Sequence, residues 1–467
     1  MGFLFRRPSL YWLLIGVHLL LGMLMKFAPV VVGYYFVGIV VLSLLIVVVT
    51  GDKDYMAGYF ALYVVGFELM YRMSGSFLFY EMGKYSAIAI LFTGILIRKG
   101  KGLHPLFLLL LGLLIPAIFL ASDPEPGRAR EMVMFNMSGP LSLLFSAAYF
   151  FRKPITKEQL LDLLRFVFLP AFTLVVGISL VASLDTLVFT SVQSNPLAAG
   201  GFAANQVSTI FGWFILIAVF FALQGFKLTP LRGLDYAMIG LLFLRGLLTL
   251  SRGGILSMLT AILIGLGYLF LKSHTFRTQL NRMKPYILGS LVVLIITVWV
   301  ANSLSNNFLL YRYQGKSTSE VLTGEHKDGK SYLSGRENIM LGDLKAFADY
   351  PMFGTGYGMA MMYHYREFGH AAAAHTEYSR LLAEQGLMGL LFILIAYLIM
   401  PIRHFLRYGN LLQRSWFLVF FFIGFFTMFH AAMRLAMPGV VMGFAYLMLV
   451  PDASVVHRKN EETEPLK

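Results

Sequence analysis

Apolar runs long enough to cross a bilayer recur along almost the whole chain, separated by short polar or basic connectors. A hydrocarbon core takes about 20 residues of helix. Runs of that order lie near 10–25, 29–49, 55–73, 77–97, 103–121, 131–151, 163–183, 205–225, 233–249, 253–271, 285–303, 386–402, 415–431 and 434–450. The pattern predicts an all-α polytopic membrane protein with about 12–14 transmembrane helices. The first run follows Arg6 and Arg7 as a signal peptide would. It has no small-x-small cleavage site, and a second apolar run follows at once, so it reads as a retained span. Residues 302–380 break the rhythm with a polar insert far longer than an ordinary connector. The expected division is transmembrane helices over 1–303, one large, partly helical external loop over 304–380, C-terminal helices over 381–450 and a cytoplasmic tail over 451–467.

The insert has a pattern of its own. Ser334-Gly335-Arg336-Glu337 fits a capping box, in which Glu337 reaches back to the cap. Behind it Ile339, Met340, Leu344 and Phe347 recur at helical spacing, until Tyr350-Pro351 ends the run. Glycines stand at 354, 356 and 358. His375-Thr376-Glu377-Tyr378 then opens a helix expected to run through Ala383 and stop near Gly386.

Composition agrees with a membrane domain: 58% of the 467 residues are hydrophobic and 13% are charged. A net charge of +14 would suggest a nucleic-acid partner in a soluble protein. Here the basic residues cluster in alternate connectors: Arg98/Lys99/Lys101, Arg152/Lys153/Lys157, Lys227/Arg232, Lys272/Arg277/Arg282/Lys284 and Arg403/Arg407/Arg414. The positive-inside rule places these and both termini in the cytoplasm and the long insert outside, so the bilayer is the partner and no nucleic acid is expected. The absence of cysteine excludes thiolate catalysis, cysteine-held metal and disulfides. No H-E-x-x-H pair, no DxD pair in the insert and no Walker motif occurs, so no metal or cofactor is expected.

Three residues combine reactive chemistry with a helix start on the external face. Arg336 lies in the first turn of the insert's helix, where free amides and the dipole favour an anion and guanidinium adds a planar fork. Arg252, in Ser251-Arg252-Gly253-Gly254, opens a span, and the two glycines behind it permit close approach to the backbone. Each arginine has a plainer reading as a solvated or snorkelling side chain. His375 starts the helix that returns to the membrane, a position that disfavours imidazolium and leaves a proton acceptor. Its plainer reading is a histidine bonded to its own loop, and His364 and His370 are weaker candidates. Glu377 and Arg380 are placed to orient His375 or an incoming sugar. Within the spans Glu68 and Arg72 are spaced to pair, while Arg245, His430 and Arg434 stand near the outer half as candidate cavity residues.

SRGG at 251–254, GREN at 335–338, YPMFGTGYG at 350–358 and AHTEYSRLLAEQGLMGLL at 374–391 together resemble, in order and setting, the O-antigen ligase and polymerase superfamily. GFAANQ, around Asn205, resembles the stretch that opens an earlier span of that family, so the resemblance covers roughly 195–395. Thr376 stands where many members carry asparagine. The resemblance implies a GT-C-like enzyme of the bacterial inner membrane, with its active site facing the periplasm. It would transfer a glycan from undecaprenyl diphosphate, with inversion and without metal, to a glycan or lipid A-core acceptor. Arg252 and Arg336 would hold the diphosphate and His375 would act on the acceptor hydroxyl, with Asn205, Glu377, Arg380 and Tyr357 as substrate-binding residues. Ligase is ranked ahead of polymerase, and a polysaccharide flippase is the alternative from another class.

Overall fold

The computed structural model describes residues 5–75, 78–97, 103–122, 126–324, 336–371, 373–407 and 409–450. An N-terminal pair, α1 (Pro8–Phe27) and α2 (Pro29–Thr50), packs outside α3 (Met56–Met73). After α4 (Met82–Ile97), α5 (Pro105–Leu114) and α6 (Pro116–Leu120) form one passage interrupted at Pro116, whose missing amide breaks the ladder. Long helices follow: α7 (Pro126–Phe150), α8 (Lys157–Val181), α9 (Ala204–Leu223), α10 (Arg232–Leu248), α11 (Arg252–Lys272) and α12 (His274–Leu304). The insert supplies α13 (Phe308–Tyr313), α14 (Thr318–Thr323), α15 (Arg336–Asp349) and α16 (Met359–Phe368). The chain returns through α17 (Glu377–Ile393), a π-helical turn and α18 (Met400–Arg407), then α19 (Leu411–Thr427) and α20 (Met437–Phe444).

Seven helical segments among the described residues are long and apolar enough to cross a membrane. The burial pattern agrees with lipid as the outer solvent. α3 is buried at nearly every position, whereas α1, α2 and α11 turn leucines and valines outward, with Leu13 62% and Leu263 69% exposed. Polar residues lie inside, where they pair with one another.

Four local expectations are corrected. The run at 434–450 is not a long helix: only the eight residues of α20 are helical, packed between α7 and α19. Beyond it Met448–Val450 pairs in parallel with Pro154–Thr156, Pro154 opposite Met448, and ties the segment after α20 to the α7–α8 link. The basic stretch expected to be a connector at 272–284 is helical from His274. The connector at 98–102, the cap residues Ser334 and Gly335 and the tail at 451–467 lie outside the described residues.

α15 is helical from Arg336, the first described residue after 324, to Asp349, but it buries Gly342, Asp343 and Ala346 and leaves Met340 and Leu344 exposed. Gly342 admits the His364 ring of α16 and Ala346 packs with Ala360 and Tyr363 of α16 and Ala383 of α17, and that close approach outweighs the apolar periodicity. α17 does not stop near Gly386. It passes through a break there (φ 59°), around which residues 351–358 wrap. Thr355 and Gly356 amides donate to the Ala383 and Glu384 carbonyls at 2.8 and 2.9 Å, and Leu387 N donates to Pro351 O at 2.7 Å. A Cβ on Gly386 would fall 2.5 Å from Pro351 O, so the glycine run serves backbone packing.

Candidate functional site

One end of the bundle gathers the starts of α9, α11 and α17, the α13 and α15 segments, and the turn at 428–436. Arg252 is the first residue of α11, and its Nη1 donates to the Arg312 carbonyl at 2.9 Å. Leu250, two residues earlier, takes a left-handed φ of 52°, a conformation costing about 1–3 kcal/mol in a non-glycine residue. The glycines behind Arg252 admit neighbours as expected. The His430 ring lies where a Gly253 Cβ would meet it at 2.1 Å, and the Ser208 carbonyl sits against Gly254.

His375 lies just before α17, stitched to the 428–436 turn. Its carbonyl accepts from Ala432 N at 3.1 Å, Glu377 N donates to Met428 O at 2.9 Å, and Arg434 Nη2 donates to Ala374 O at 3.2 Å. The positive φ of Ala432 (47°) turns that segment toward His375. His430 Nε2 meets the Thr209 hydroxyl at 3.2 Å, and the same hydroxyl reaches the Asn205 carbonyl.

These segments bring like charges together. Arg252, Arg312 and Arg336 lie close enough to act on one another, and Arg336 also feels Arg434. Burial and the neighbouring guanidiniums lower the proton affinity of Arg312 to about 10 and also lower that of Arg336. Among the described residues no carboxylate stands within ion-pair distance of Arg312, Arg336 or Arg434. His375 is pushed down to about 4 by burial, then by Arg434 and Arg336. That lowering favours the neutral form expected of it, and its causes are desolvation and neighbouring cations.

Two buried atoms in this group, Arg312 Nε and His375 Nδ1, lack a hydrogen-bond partner. A buried unsatisfied donor costs about 1–3 kcal/mol, and gathered cations add repulsion. The arrangement suits an anion with several acceptor oxygens.

The neighbouring carboxylates are committed elsewhere. Glu377 pairs with Arg380 and accepts from Met433 N at 3.1 Å, while Arg380 also holds Glu384 at 2.8 Å. Glu68 pairs with Arg72 at 2.7 Å as its spacing predicts, and Arg72 also reaches Glu81 and the Arg434 carbonyl. Asp343 on α15 joins His364 Nε2 on α16 at 2.9 Å and Ser379 Oγ on α17 at 2.6 Å. Asp343 is two helical turns beyond Arg336, and Ser379 is one turn beyond His375, so this junction sets their spacing.

A cavity of about 770 Å³ adjoins the arginines. Arg434, Ala374 and Glu377 border it, whereas Arg252, Arg312, Arg336 and His375 are not among its lining residues. Its other sides come from residues 78–81, 128–136 and 358–361.

The fold thus gathers the three helix-start residues, Arg252, Arg336 and His375. Glu377 and Arg380 are buried braces that border the cavity. Asn205 touches the site through Thr209, its side-chain oxygen accepting from Gln206 N. Tyr357 is fully buried, donates to Leu114 O at 3.2 Å and accepts from Gln385, away from the cavity. Arg245 is apart, donating to Ala182 O at 2.8 Å. Arg312 was missed: in Leu310-Tyr311-Arg312-Tyr313 no capping or spacing signal separates it from an ordinary loop arginine. Only the carbonyl that Arg252 seeks reveals it.

Residues 237–394 match the family model described as O-antigen ligase. The match contains the segments at 251–254, 335–338, 350–358 and 374–391 and begins after Asn205. No curated protein matches the chain.

Proposed function

From a chain that carries the O-antigen ligase domain at residues 237–394, we propose a transferase that moves a glycan from undecaprenyl diphosphate to an acceptor hydroxyl on the periplasmic side. The observation that carries this reading is the cluster of Arg252, Arg312, Arg336 and Arg434 around a neutral His375. The guanidiniums bind the diphosphate and stabilise the charge that grows on it as the glycosidic C–O bond breaks. The acceptor oxygen attacks the anomeric carbon from the opposite face. His375 takes the hydroxyl proton, and the electron pair of the broken bond leaves with the diphosphate, inverting the configuration.

The arginines supply the positive charge this step needs, so metal is not required in this reading. Ligase and polymerase would share this machinery and differ in acceptor, and ligase is put first. The test is transfer by purified protein from lipid-linked glycan to lipid A core or to a second lipid-linked repeat, in excess EDTA. Transfer to lipid A core supports the ligase, and transfer only to the repeat makes it a polymerase. Activity that needs an added divalent ion overturns the arginine-based step. Movement of intact donor across a vesicle membrane without transfer would make the protein a transporter.

A further inference from the structure

We infer that the cavity beside His375 is the acceptor's subsite and that its aromatic wall, Phe79, Tyr80 and Phe135, grips a saccharide ring. The inference rests on the transferase reading and adds where and how the acceptor is held.

Position is the first argument. Of the arginines that would take the leaving diphosphate, Arg434 also lines the cavity while Arg252, Arg312 and Arg336 do not, and Ala374 and Glu377 on its wall flank His375 along the chain. The acceptor hydroxyl must come within reach of His375 as base, and the cavity opens beside His375 at Ala374 and Glu377. At about 770 Å³ the space is within the ~300–1,000 Å³ of ordinary small-molecule sites.

The lining is the second. Phe79, Tyr80 and Phe135 are 40%, 41% and 36% exposed, and Tyr80 and Phe135 lie nearly parallel with centroids 6.5 Å apart. Buried cations hold both rings: Arg72 lies 4.3 Å from the Tyr80 centroid and Lys84 5.1 Å from that of Phe135. Exposed aromatics at a membrane boundary ordinarily form an interfacial belt. These instead line a concavity shared with Glu131, Asn136 and Arg434. A pyranose offers C–H faces to aromatic rings and hydroxyls to carboxylate, amide and guanidinium, whereas a polyprenyl chain would leave those polar groups unpaired.

Origin is the third. The wall comes from residues 78–81 and 128–136, upstream of the matched domain, while Arg252, Arg336 and His375 lie within it. The lining from Gly358 to Glu384 lies within the matched domain, so the aromatic wall is a part of the cavity that can vary separately from the bond-breaking residues.

The test uses purified full-length protein and two probes: deacylated saccharides released from the source cell's own envelope glycolipids, and undecaprenyl phosphate. Tyr80→Ala and Phe135→Ala are each expected to weaken saccharide binding about tenfold, ~1.4 kcal/mol, and to raise acceptor KM. Donor KM and undecaprenyl phosphate binding should stay unchanged. Tyr80→Phe should retain saccharide binding. Thermal midpoints near wild type exclude misfolding, and Phe135→Ala leaves the Arg72 stack intact. Weaker undecaprenyl phosphate binding with unchanged saccharide binding would assign the cavity to the donor and overturn the inference. Unaltered binding of both probes, or no saccharide binding by wild type, would also overturn it. Saccharide binding is read without turnover, so failure of wild type to transfer any glycan counts against the transferase reading alone.

Discussion

Two groups of buried charge lie side by side in this protein and are handled in opposite ways. In one, Glu68, Arg72, Glu81 and Lys84 form a closed set, two acids against two bases, with ion pairs of 2.6 to 3.3 Å. In the other, Arg312, Arg336 and Arg434 crowd together beyond ion-pair reach of any described carboxylate. The closed set bonds to the Arg434 carbonyl and the Ala436 amide, and so holds the turn that carries His430 and Arg434. A neutralised network has its partners built in and acts as a brace. An unneutralised one has stability withheld until an anion arrives, which is what a binding site for a diphosphate requires.

The largest expected effect falls on His375. His375→Ala should lower single-turnover transfer by roughly 10²- to 10⁴-fold, the usual contribution of an acid–base group, while donor binding persists. Near-wild-type turnover in a folded variant would remove His375 from the chemistry.

The comparison itself is tested by making the same change in each group. Arg72→Met should destabilise the protein by ~3–5 kcal/mol, because it leaves Glu68 buried without its ion-pair partner and Glu81 with Lys84 alone. Arg312→Met should leave the thermal midpoint of the ligand-free protein unchanged or raised, since it relieves repulsion, while impairing transfer. Equal destabilisation by both substitutions would erase the distinction between brace and site.

Arg336→Lys keeps the charge and loses the planar fork, so transfer should fall by ~10²-fold with little change in thermal midpoint. If lysine serves as well as arginine, the site reads charge alone.

A smaller effect is expected from pH. His375 must be neutral to accept a proton, and in the free enzyme its pKa is held down to about 4. Protonation on acidification removes the base, so the acid limb of kcat/KM should lie near pH 4, below the usual histidine range of about 6.5. Bound diphosphate offsets the arginines, so the limb of kcat should lie higher. A kcat/KM limb at the ordinary histidine value would mean that neither burial nor the neighbouring guanidiniums depress His375 in the working enzyme.

The smallest effect is expected at Tyr357, whose hydroxyl bonds to Leu114 O and Gln385 within the packing. Tyr357→Phe should cost about 1 kcal/mol of stability and leave kcat and both KM values unchanged. A raised substrate KM would return this tyrosine to the binding residues.

The legible parts of this protein share one property: their physical cause is local. Helical spans follow from apolar run length, and the insert's helix from the turn and proline signals around residues 336–351. Arg252, Arg336 and His375 were visible because a helix start marks them along the chain. The illegible parts depend on what packs from elsewhere. The face of α15 could not be read from Ile339, Met340, Leu344 and Phe347, because it was set by how closely Gly342 and Ala346 admit neighbouring helices. Likewise the glycines at 354–358 signalled a turn, while their use, wrapping the break at Gly386, requires knowing what lies opposite.

By itself the sequence determined a helical membrane chain, its long insert and three helix-start residues, because each follows from run length, composition or a cap within one stretch. Tertiary structure alone decided that Arg312, on the short helix after α12, and Arg434, on the turn after α19, join those three. It also decided which carboxylates are neutralised within the brace and which cations have no carboxylate within ion-pair distance among the described residues. Electrostatic partnership acts across space over a few ångströms and between residues as far apart in sequence as Arg72 and Arg434. No pattern along a single chain segment records it.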